Sequence, residues 1–253
     1  MKMSGNTILI TGGGSGIGRG LAEAFHKLGN HVIIAGRRES VLHEVVAANP
    51  GMHFMVMDTK HPMSIRVAAA KIEAEYPALN VVISNAGVQR IHDFGAGDGL
   101  DEPAAKEEIE TNIWGALRVA DAFLPHLKTK PDAVLVNVSS GLAFVPLAQF
   151  PVYCATKAFV HSFSQSLRHQ LRGTGVRVVE LIPPWVATDL GATHPDSAIP
   201  AGDRKPMPLA AFITAAMEEL ASGKDELPVA EARFLHGAAV GERAAGVFGM
   251  INS

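Results

Sequence analysis

Short apolar or β-branched runs alternate with longer stretches of helical periodicity along most of this chain. The runs predict strands at Thr7–Ile10, His31–Ala35, His53–Met57, Val81–Ser84, Ala133–Val138 and Val176–Ile182. The helical stretches are Arg19–Leu28, Ser40–Ala48, Met63–Glu75, Ala104–Leu127 and Thr156–Leu171. Parallel strands need a crossover, usually a helix, so the alternation predicts βαβ units. The runs lack clean polar alternation, which is typical of strands covered on both faces. The sequence therefore predicts an α/β fold with a doubly wound parallel sheet.

The rest of the chain continues this pattern after an irregular segment. Leu209–Leu220 is predicted to be helical, and Glu226–Ala230 is a candidate last strand. Gly191–Pro208 is rich in glycine and proline, which argues against regular structure throughout. A substrate lid at about residues 189–208 and a plain surface loop are both open interpretations. No linker divides the chain, so residues 1–253 are predicted to form one domain.

Composition narrows the class of partner. The formal net charge is −3, which gives no reason to expect nucleic acid or an anionic membrane surface. Cys154 is the single cysteine, so no intramolecular disulfide can form. The sequence shows no apolar segment of membrane-spanning length. We expect a cytoplasmic protein with a small-molecule partner.

Several common site motifs are absent from the sequence. The 11 histidines include no pair four residues apart, and there is no CxxC, so no metal site is predicted. A site assembled from distant residues stays possible. No GxxxxGK[ST] phosphate loop and no GxSxG nucleophile elbow occurs. Without these motifs, the sequence lacks the best evidence for a nucleotidase or a hydrolase.

A glycine-rich turn joins the first strand to the first helix, with the sequence Thr-Gly-Gly-Gly-Ser-Gly-Ile-Gly. Glycines there allow a tight turn and let the backbone approach a pyrophosphate at the helix N-terminus. Strand, glycines and helix occur in the order that a Rossmann-like dinucleotide site requires. The alternative is an ordinary flexible turn. The candidate cofactor residues of this turn are Gly12, Ser15, Gly16, Ile17 and Gly18.

The end of the second strand indicates which dinucleotide is preferred. NAD-binding folds usually place a carboxylate there to bind the ribose 2′-hydroxyl. This chain instead has Arg37 and Arg38, whose guanidinium groups suit a 2′-phosphate. The pair therefore predicts that NADP(H) is preferred, with NAD(H) possible. The alternative is a solvated basic start to the next helix.

Tyr153 and Lys157 are four residues apart at the start of a predicted helix, so they share one face. A tyrosine with an ordinary pKa near 10 is a poor base at neutral pH, and a neighbouring ammonium favours its phenolate. Such a pair could serve as an acid/base, although the same spacing often marks an amphipathic surface.

Together these motifs resemble the short-chain dehydrogenases/reductases, in the right order over nearly the whole chain. Further matching features are Asp58, Asn85-Ala86-Gly87, Asn112, Ser139-Ser140, and the segment from Pro183 to Thr188. Within the family, Met207–Ala221 and Val247–Asn252 look most similar to the DltE-like oxidoreductases. One departure is Pro184, which stands where the family usually has glycine, removes a backbone N–H and restricts the chain before Thr188.

The resemblance implies a role for each matching residue. Tyr153 would exchange a proton with the carbonyl or alcohol oxygen, Ser140 would orient that oxygen, and Lys157 would bind the nicotinamide ribose and lower the tyrosine pKa. Asn112 would hold a water behind Lys157, and Ser139 would be structural. The other implied cofactor residues are Asp58 for adenine, Asn85, Ala86 and Gly87 beside the cofactor, Pro183, Val186, and Thr188 for the carboxamide.

The resemblance implies an NADP(H)-dependent oxidoreductase of carbonyls and secondary alcohols that forms a homodimer or homotetramer. An NADP(H)-binding redox sensor without turnover is the alternative, and a sugar-nucleotide epimerase or dehydratase is disfavoured by the chain length. Phe144, Phe150 and Trp185 are pocket or core candidates. Trp114 is expected in the core or at an interface, and Cys154 in packing. An acidic cluster is expected to form a helix start with a solvated face: Asp101, Glu102, Glu107, Glu108 and Glu110.

Overall fold

The computed structural model describes residues 1–95, 100–192, 205–238 and 250. The strands are β1 (Thr7–Thr11), β2 (His31–Gly36), β3 (His53–Val56), β4 (Leu79–Ser84), β5 (Ala133–Val138), β6 (Val176–Ile182) and β7 (Glu226–Pro228). The α-helices are α1 (Gly16–Lys27), α2 (Glu39–Ala48), α3 (Pro62–Glu75), α4 (Glu102–Ile109), α5 (Gly115–Leu127), α6 (Pro151–Gln170), α7 (Asp189–Ala192), α8 (Leu209–Ala221) and α9 (Ala232–Ala238). The predicted strands and helices are confirmed, with ends that differ by a few residues.

All strands form one seven-stranded parallel sheet in the order β3-β2-β1-β4-β5-β6-β7. The chain builds outward from β1 to β3 and then crosses back to β4 on the other side of β1. The strand order therefore reverses between β1 and β4, and the loops that follow these two strands diverge. The predicted doubly wound fold is confirmed, and this reversal point is where such folds bind ligands.

Alternate residues of β1 enter two different cores, because side chains alternate across a strand. Ile8 and Ile10 pack on one face with Phe25 of α1. Leu9 packs on the other face with Phe123 of α5. Each of these side chains is fully buried, which stabilises the fold by about 1.5–3 kcal/mol per side chain. The two cores hold the sheet rigid beneath the loops at its carboxyl edge.

Several elements differ from the sequence prediction, among them the short helix α7, which was not predicted. The predicted helix Ala104–Leu127 is interrupted by a π-helical turn at Glu110–Trp114, which separates α4 from α5. The last strand is only Glu226–Pro228, and it leads into α9, which was not predicted. A π-turn widens the helix by one residue, and such turns occur often at functional sites.

The predicted lid lies partly outside the described residues, and so does the apolar ending Gly246–Ile251 apart from Met250. The described ends of the lid segment meet each other. Val186 bridges to Met207, and the backbone N–H of Ala187 donates to the Met207 carbonyl at 2.9 Å. The segment therefore leaves and returns at one place beside β6, and its role as a lid stays a prediction. Among the described helices, none has the length and apolarity needed to cross a bilayer.

Candidate active site

The glycine turn after β1 is shaped by close contacts that exclude side chains. Gly12 and Gly16 have positive φ angles of 67° and 53°, which glycine adopts without strain. A Cβ at Gly18 would lie 2.5 Å from the Asn85 Nδ2 atom and closer still to the Gly12 carbonyl. Gly18 therefore lets the start of α1 pack against the loop that follows β4.

The loop after β4 is tied to β1 across the reversal point. The backbone N–H groups of Asn85 and Ala86 both donate to Thr11 Oγ1 at 3.0 Å. The Asn85 side chain donates to the Thr11 carbonyl, also at 3.0 Å. Asn85 thus joins the two strands at the point where they diverge, consistent with the predicted supporting role beside a cofactor.

The predicted basic residues lie at the carboxyl edge of the sheet, directly after β2. Arg37 and Arg38 follow β2, and Arg38 is the residue before the first turn of α2. The nearest carboxylate oxygen of Glu107 lies 3.6 Å from Arg37 Nη1, and the Arg37 side chain is about half exposed. Asp58 accepts a hydrogen bond from the Lys60 backbone at 3.0 Å. Its carboxylate thereby fixes the loop after β3 beside the two arginines.

Tyr153 lies in the first turn of α6, which begins at Pro151, a residue favoured at the first position of a helix. Ser140 follows β5, and its side chain is hydrogen-bonded to Tyr153 and accepts from the Leu142 backbone at 3.1 Å. Lys157 Nζ donates to the Val138 carbonyl at 2.9 Å and lies 5.6 Å from the centre of the Tyr153 ring. The sheet end and α6 thus bring the three predicted groups together.

Burial changes the pKa values of this group. Burial raises the pKa of Tyr153 above its usual value, and the neighbouring Cys154 and Glu108 add to the rise, while the hydrogen bond with Ser140 opposes it. Burial lowers the pKa of Lys157 to about 8. The pKa of Tyr153 is therefore raised overall, and the expected lowering by Lys157 stays a prediction. Removing the phenol from water has a larger effect than the neighbouring ammonium, which is itself bound to a carbonyl.

Asn112 lies within the π-turn, and both polar atoms of its side-chain amide form hydrogen bonds. Its Oδ1 accepts from the Val88 backbone at 2.9 Å, and its Nδ2 donates to the Val88 carbonyl and to Thr156 Oγ1. Asn112 therefore fastens the chain after Gly87 to α6, one turn from Tyr153. Its role in holding a water stays a prediction.

A continuous cleft of about 790 Å³ runs from the glycine turn to Tyr153. Gly18 and Asn112 lie one layer behind its wall, where they shape the wall without lining it. The predicted site residues that line it are Gly12, Ser15, Gly16, Ile17, Arg37, Arg38, Asp58, Asn85, Ala86, Gly87, Ser140, Tyr153, Lys157, Pro183, Val186 and Thr188.

Comparison with known proteins agrees with this geometry. Residues 6–198 match the family described as short chain dehydrogenase. An uncharacterized oxidoreductase of Bacillus subtilis, DltE, is 46% identical over 202 residues, which are 78% of this chain and 77% of that protein. This chain is a short-chain dehydrogenase of the DltE-like subgroup.

Other similarities extend over the whole fold. An uncharacterized oxidoreductase of Myxococcus xanthus is 36% identical to this dehydrogenase over 197 residues, which are 76% of this chain and 77% of that protein. The crystal structure of a Burkholderia cenocepacia short chain dehydrogenase in complex with NADP covers 100% of both chains, with a TM-score of 0.84 and 24% identity. This likeness confirms the fold of the dehydrogenase.

Beyond Tyr153 the cleft has an apolar wall that sequence patterns only partly indicated. Phe150 and Trp185 line this wall, which is the pocket interpretation of these two residues. Phe144 does not, because its ring packs edge-on between His161 and His236. The wall residues that were not predicted are Leu142, Leu147, Phe234 and Leu235. The apolar spacing of α9 was the available signal for the last two.

Pro184 lies in a segment after β6 that is held by backbone hydrogen bonds. The carbonyl of Pro183 accepts from the Gly141 backbone at 2.9 Å, which ties the segment after β6 to the one that carries Ser140. A Cβ placed on Gly16 would touch Thr188 at 3.4 Å. Thr188 thus lies over the glycine turn even with proline at the usual glycine position.

The acidic cluster needs one correction. Asp101 caps α4 by accepting from the Ala104 backbone at 3.0 Å, so the predicted helix start is present. Glu108 was expected on a solvated face but is fully buried. Its oxygens meet the Arg90 backbone N–H at 2.9 Å and His92 Nε2 at 2.7 Å. These two partners compensate the loss of water, which the charge pattern alone could not reveal.

The described residues also bring together one group with metal-ligand chemistry. Donor atoms of His161, Glu180 and Glu226 lie within 4.8 Å of one another, although sequence spacing predicted no metal site. The carboxylates already have partners. Glu180 is bound by Ser139 and His161, and Glu226 by Arg168 at 3.1 Å. We therefore interpret the group as a hydrogen-bonded network.

Proposed function

We propose that this short-chain dehydrogenase interconverts a carbonyl and a secondary alcohol with NADP(H), using Tyr153 as acid and base. The observation that carries the proposal is that Ser140, Tyr153 and Lys157 face the same cleft as the glycine turn. The cleft is continuous between them, so a dinucleotide held at the turn would bring its nicotinamide end to Tyr153.

In this proposal the bound cofactor transfers the hydride, and the residues of the cleft transfer the proton and orient the substrate. The nicotinamide supplies or accepts the hydride when the cofactor is bound. Tyr153 donates its phenolic proton to the carbonyl oxygen during reduction and takes it back from the alcohol during oxidation. Ser140 donates a hydrogen bond to the same oxygen and orients it, and the Lys157 ammonium binds the ribose hydroxyls. Because burial raises the pKa of Tyr153, the phenol is protonated at neutral pH and ready for reduction.

The preference for NADP(H) is supported by the basic end of the cleft. Arg37 and Arg38 line it, and Arg37 has its nearest carboxylate at 3.6 Å, longer than a typical charged hydrogen bond. Arg37 is about half exposed and Arg38 is exposed as well, so both guanidinium groups are available to a 2′-phosphate. The structurally similar Burkholderia cenocepacia dehydrogenase was crystallised with NADP.

The wall beyond Tyr153 supports a substrate with an apolar body. Leu142, Leu147, Phe150, Trp185 and Phe234 give it few polar partners. Glu231, the residue just before α9, also lines the cleft, and its carboxylate would repel anions. We therefore propose ketones or aldehydes whose carbonyl is the main polar group.

Location and assembly are also part of the proposal. We propose a cytoplasmic homodimer or homotetramer that pairs through the helices near Asn112 and Tyr153. Ile109 and Trp114 are large apolar residues exposed beside the π-turn, which supports that surface. Light scattering after gel filtration gives the number of subunits, and a monomer at micromolar concentration would contradict this part.

The test of function is a binding titration followed by turnover. NADPH and NADH are titrated by fluorescence, and absorbance at 340 nm is then followed with aliphatic, aromatic and carboxylated carbonyl compounds. We expect tighter binding of NADPH and faster turnover of the uncharged apolar substrates. Tight binding without any turnover would support the redox sensor instead, and absence of binding would refute both.

A further inference from the structure

A row of polar side chains crosses the buried sheet next to the active site. Asn137 of β5 pairs in register with Glu180 of β6, and Glu180 with Glu226 of β7. Asn137 and Glu180 are both fully buried. A buried carboxylate is stable only with charged or hydrogen-bonding partners, so this row needs a matching surface above it.

Helix α6 supplies that surface through one stripe of its face. His161 Nδ1 lies 2.8 Å from Glu180 Oε2, Asn137 donates to Ser164 Oγ at 2.9 Å, and Arg168 lies 3.1 Å from Glu226. The spacing of His161, Ser164 and Arg168 continues from Lys157, one turn earlier on the same face. We call the row and the stripe together the polar seam, and Lys157 is its end at the active site.

Glu180 connects the seam to the segment that carries Ser140. Its Oε1 accepts from Ser139 Oγ at 2.5 Å. Ser139 is covalently next to Ser140, and the preceding carbonyl, of Val138, binds Lys157 Nζ. One carboxylate therefore fixes the short segment that holds both the orienting serine and the lysine.

We propose that Glu180 is a positioning residue of this dehydrogenase, whose buried carboxylate orients the Ser139–Ser140 segment and places a negative charge next to the segment that holds Lys157. The proposal rests on the proposed function. It gives Ser139, expected only to be structural, a defined part in the active site.

The charges around Glu180 agree with this role. Burial lowers the pKa of Lys157 to about 8, and Glu180 opposes that effect. The charged and titratable groups of the seam are Lys157, His161 and Arg168 on α6, Glu226 on β7 and His236 on α9. The pKa of His161 is raised, mainly by its hydrogen bond with Glu180. When Glu180 loses its charge, the pKa of Lys157 falls, so the ammonium is lost at a lower pH.

The test compares Glu180→Gln with Glu226→Gln, its matched control on the next strand. Both variants keep the size of the side chain and remove one carboxylate of the row. In the described part of the chain, Glu226 is bound by Gln165, Arg168 and His236 rather than by Ser139 or Lys157. We expect Glu180→Gln to lower kcat at least tenfold with KM and NADPH affinity within about twofold, and to move the alkaline limb of the kcat profile down by about one pH unit. Glu226→Gln should leave that limb in place. Equal shifts in both variants, or none in Glu180→Gln, would overturn the proposal.

A second readout separates this proposal from the proposed function. With ¹³C-labelled lysine, the Lys157 resonance is assigned by its loss in Lys157→Met, and its titration is followed by NMR. We expect the wild-type pKa to fall in Glu180→Gln and to stay in Glu226→Gln, whether or not any substrate is turned over. An unchanged titration refutes the proposal, and absence of wild-type turnover refutes the proposed function.

Two further variants test the positioning role of Glu180 if Glu180→Gln does not fold. Ser139→Ala removes the hydrogen bond and leaves the charge, so we expect lower kcat with the alkaline limb unmoved. Glu180→Asp keeps the charge on a shorter side chain, so the Lys157 titration should stay near that of wild type while kcat falls. Full activity in both variants would overturn the positioning role.

Discussion

The two halves of the cleft are built by different physical means. The cofactor half is made mainly of backbone and small residues at the strand ends, such as Gly12, Gly18 and the Asn85 loop, which leave no room for an added Cβ. The substrate half is made of side chains from separate elements, such as Leu147, Phe150 and Phe234. The first half therefore tolerates almost no change of shape, while the second can be altered residue by residue. Binding of a common cofactor and selection of a particular substrate are thereby separated.

The largest effect is expected from Gly18→Ala in the cofactor half. Its Cβ would overlap Asn85 Nδ2 and the Gly12 carbonyl, and such overpacking costs about 1–3 kcal/mol or more. We expect NADPH binding to weaken more than 100-fold, or the melting temperature to drop by several degrees, in titration and calorimetry. The control is Gly237→Ala, where a Cβ meets nothing within 4 Å. Wild-type binding by Gly18→Ala would show that the turn is not rigid.

The next effect concerns the charge of the cofactor half. Loss of a charged hydrogen bond to the 2′-phosphate costs about 1.5–3 kcal/mol, so the double variant with Arg37→Ala and Arg38→Ala should weaken NADPH binding by at least about 10-fold. NADH binding should change by no more than about twofold. Arg66→Ala, an exposed arginine of α3, serves as the control. If the double variant loses affinity for both cofactors equally, these arginines do not bind a 2′-phosphate.

A smaller and selective effect is expected in the substrate half. Phe234→Ala removes part of the apolar wall and widens the cleft. The kcat/KM for apolar carbonyl substrates should therefore fall by about tenfold, within the range of a lost hydrophobic contact. NADPH affinity should stay the same, because Phe234 belongs to the apolar wall of the substrate half and not to the loops of the cofactor half. Met63→Ala, another exposed apolar residue, is the control. An equal loss for small and large substrates would contradict an apolar wall.

The smallest effect is expected for Cys154, which adjoins Tyr153 without taking part. The thiol is buried, and burial raises its pKa to about 11. A protonated, covered thiol reacts slowly, so Ellman's reagent at pH 8 should label the native protein negligibly and the denatured protein once per chain. Rapid labelling of the native protein that NADPH prevents would show an open site instead.

The same contrast explains how far the sequence could be interpreted. The strands and the glycine turn follow from local periodicity and from backbone geometry that glycine allows, so they were predictable. Glu108 and Glu180 were not, because their partners are distant in the chain: the Ser139 and Glu180 side chains meet across 41 residues. The direction of the Tyr153 pKa also depends on burial, which only the packed structure shows. Local motifs thus specify the cofactor half better than the substrate half.

The central claim is that Tyr153 transfers the proton, and Tyr153→Phe tests it most directly. The substitution removes one hydroxyl from a buried ring and keeps its packing, so folding and NADPH affinity should be unchanged. Loss of general acid catalysis lowers rates by about 10²- to 10⁴-fold, so kcat for reduction should fall into that range when followed at 340 nm. We expect full NADPH binding with that loss of turnover. Turnover within a few-fold of wild type would contradict it.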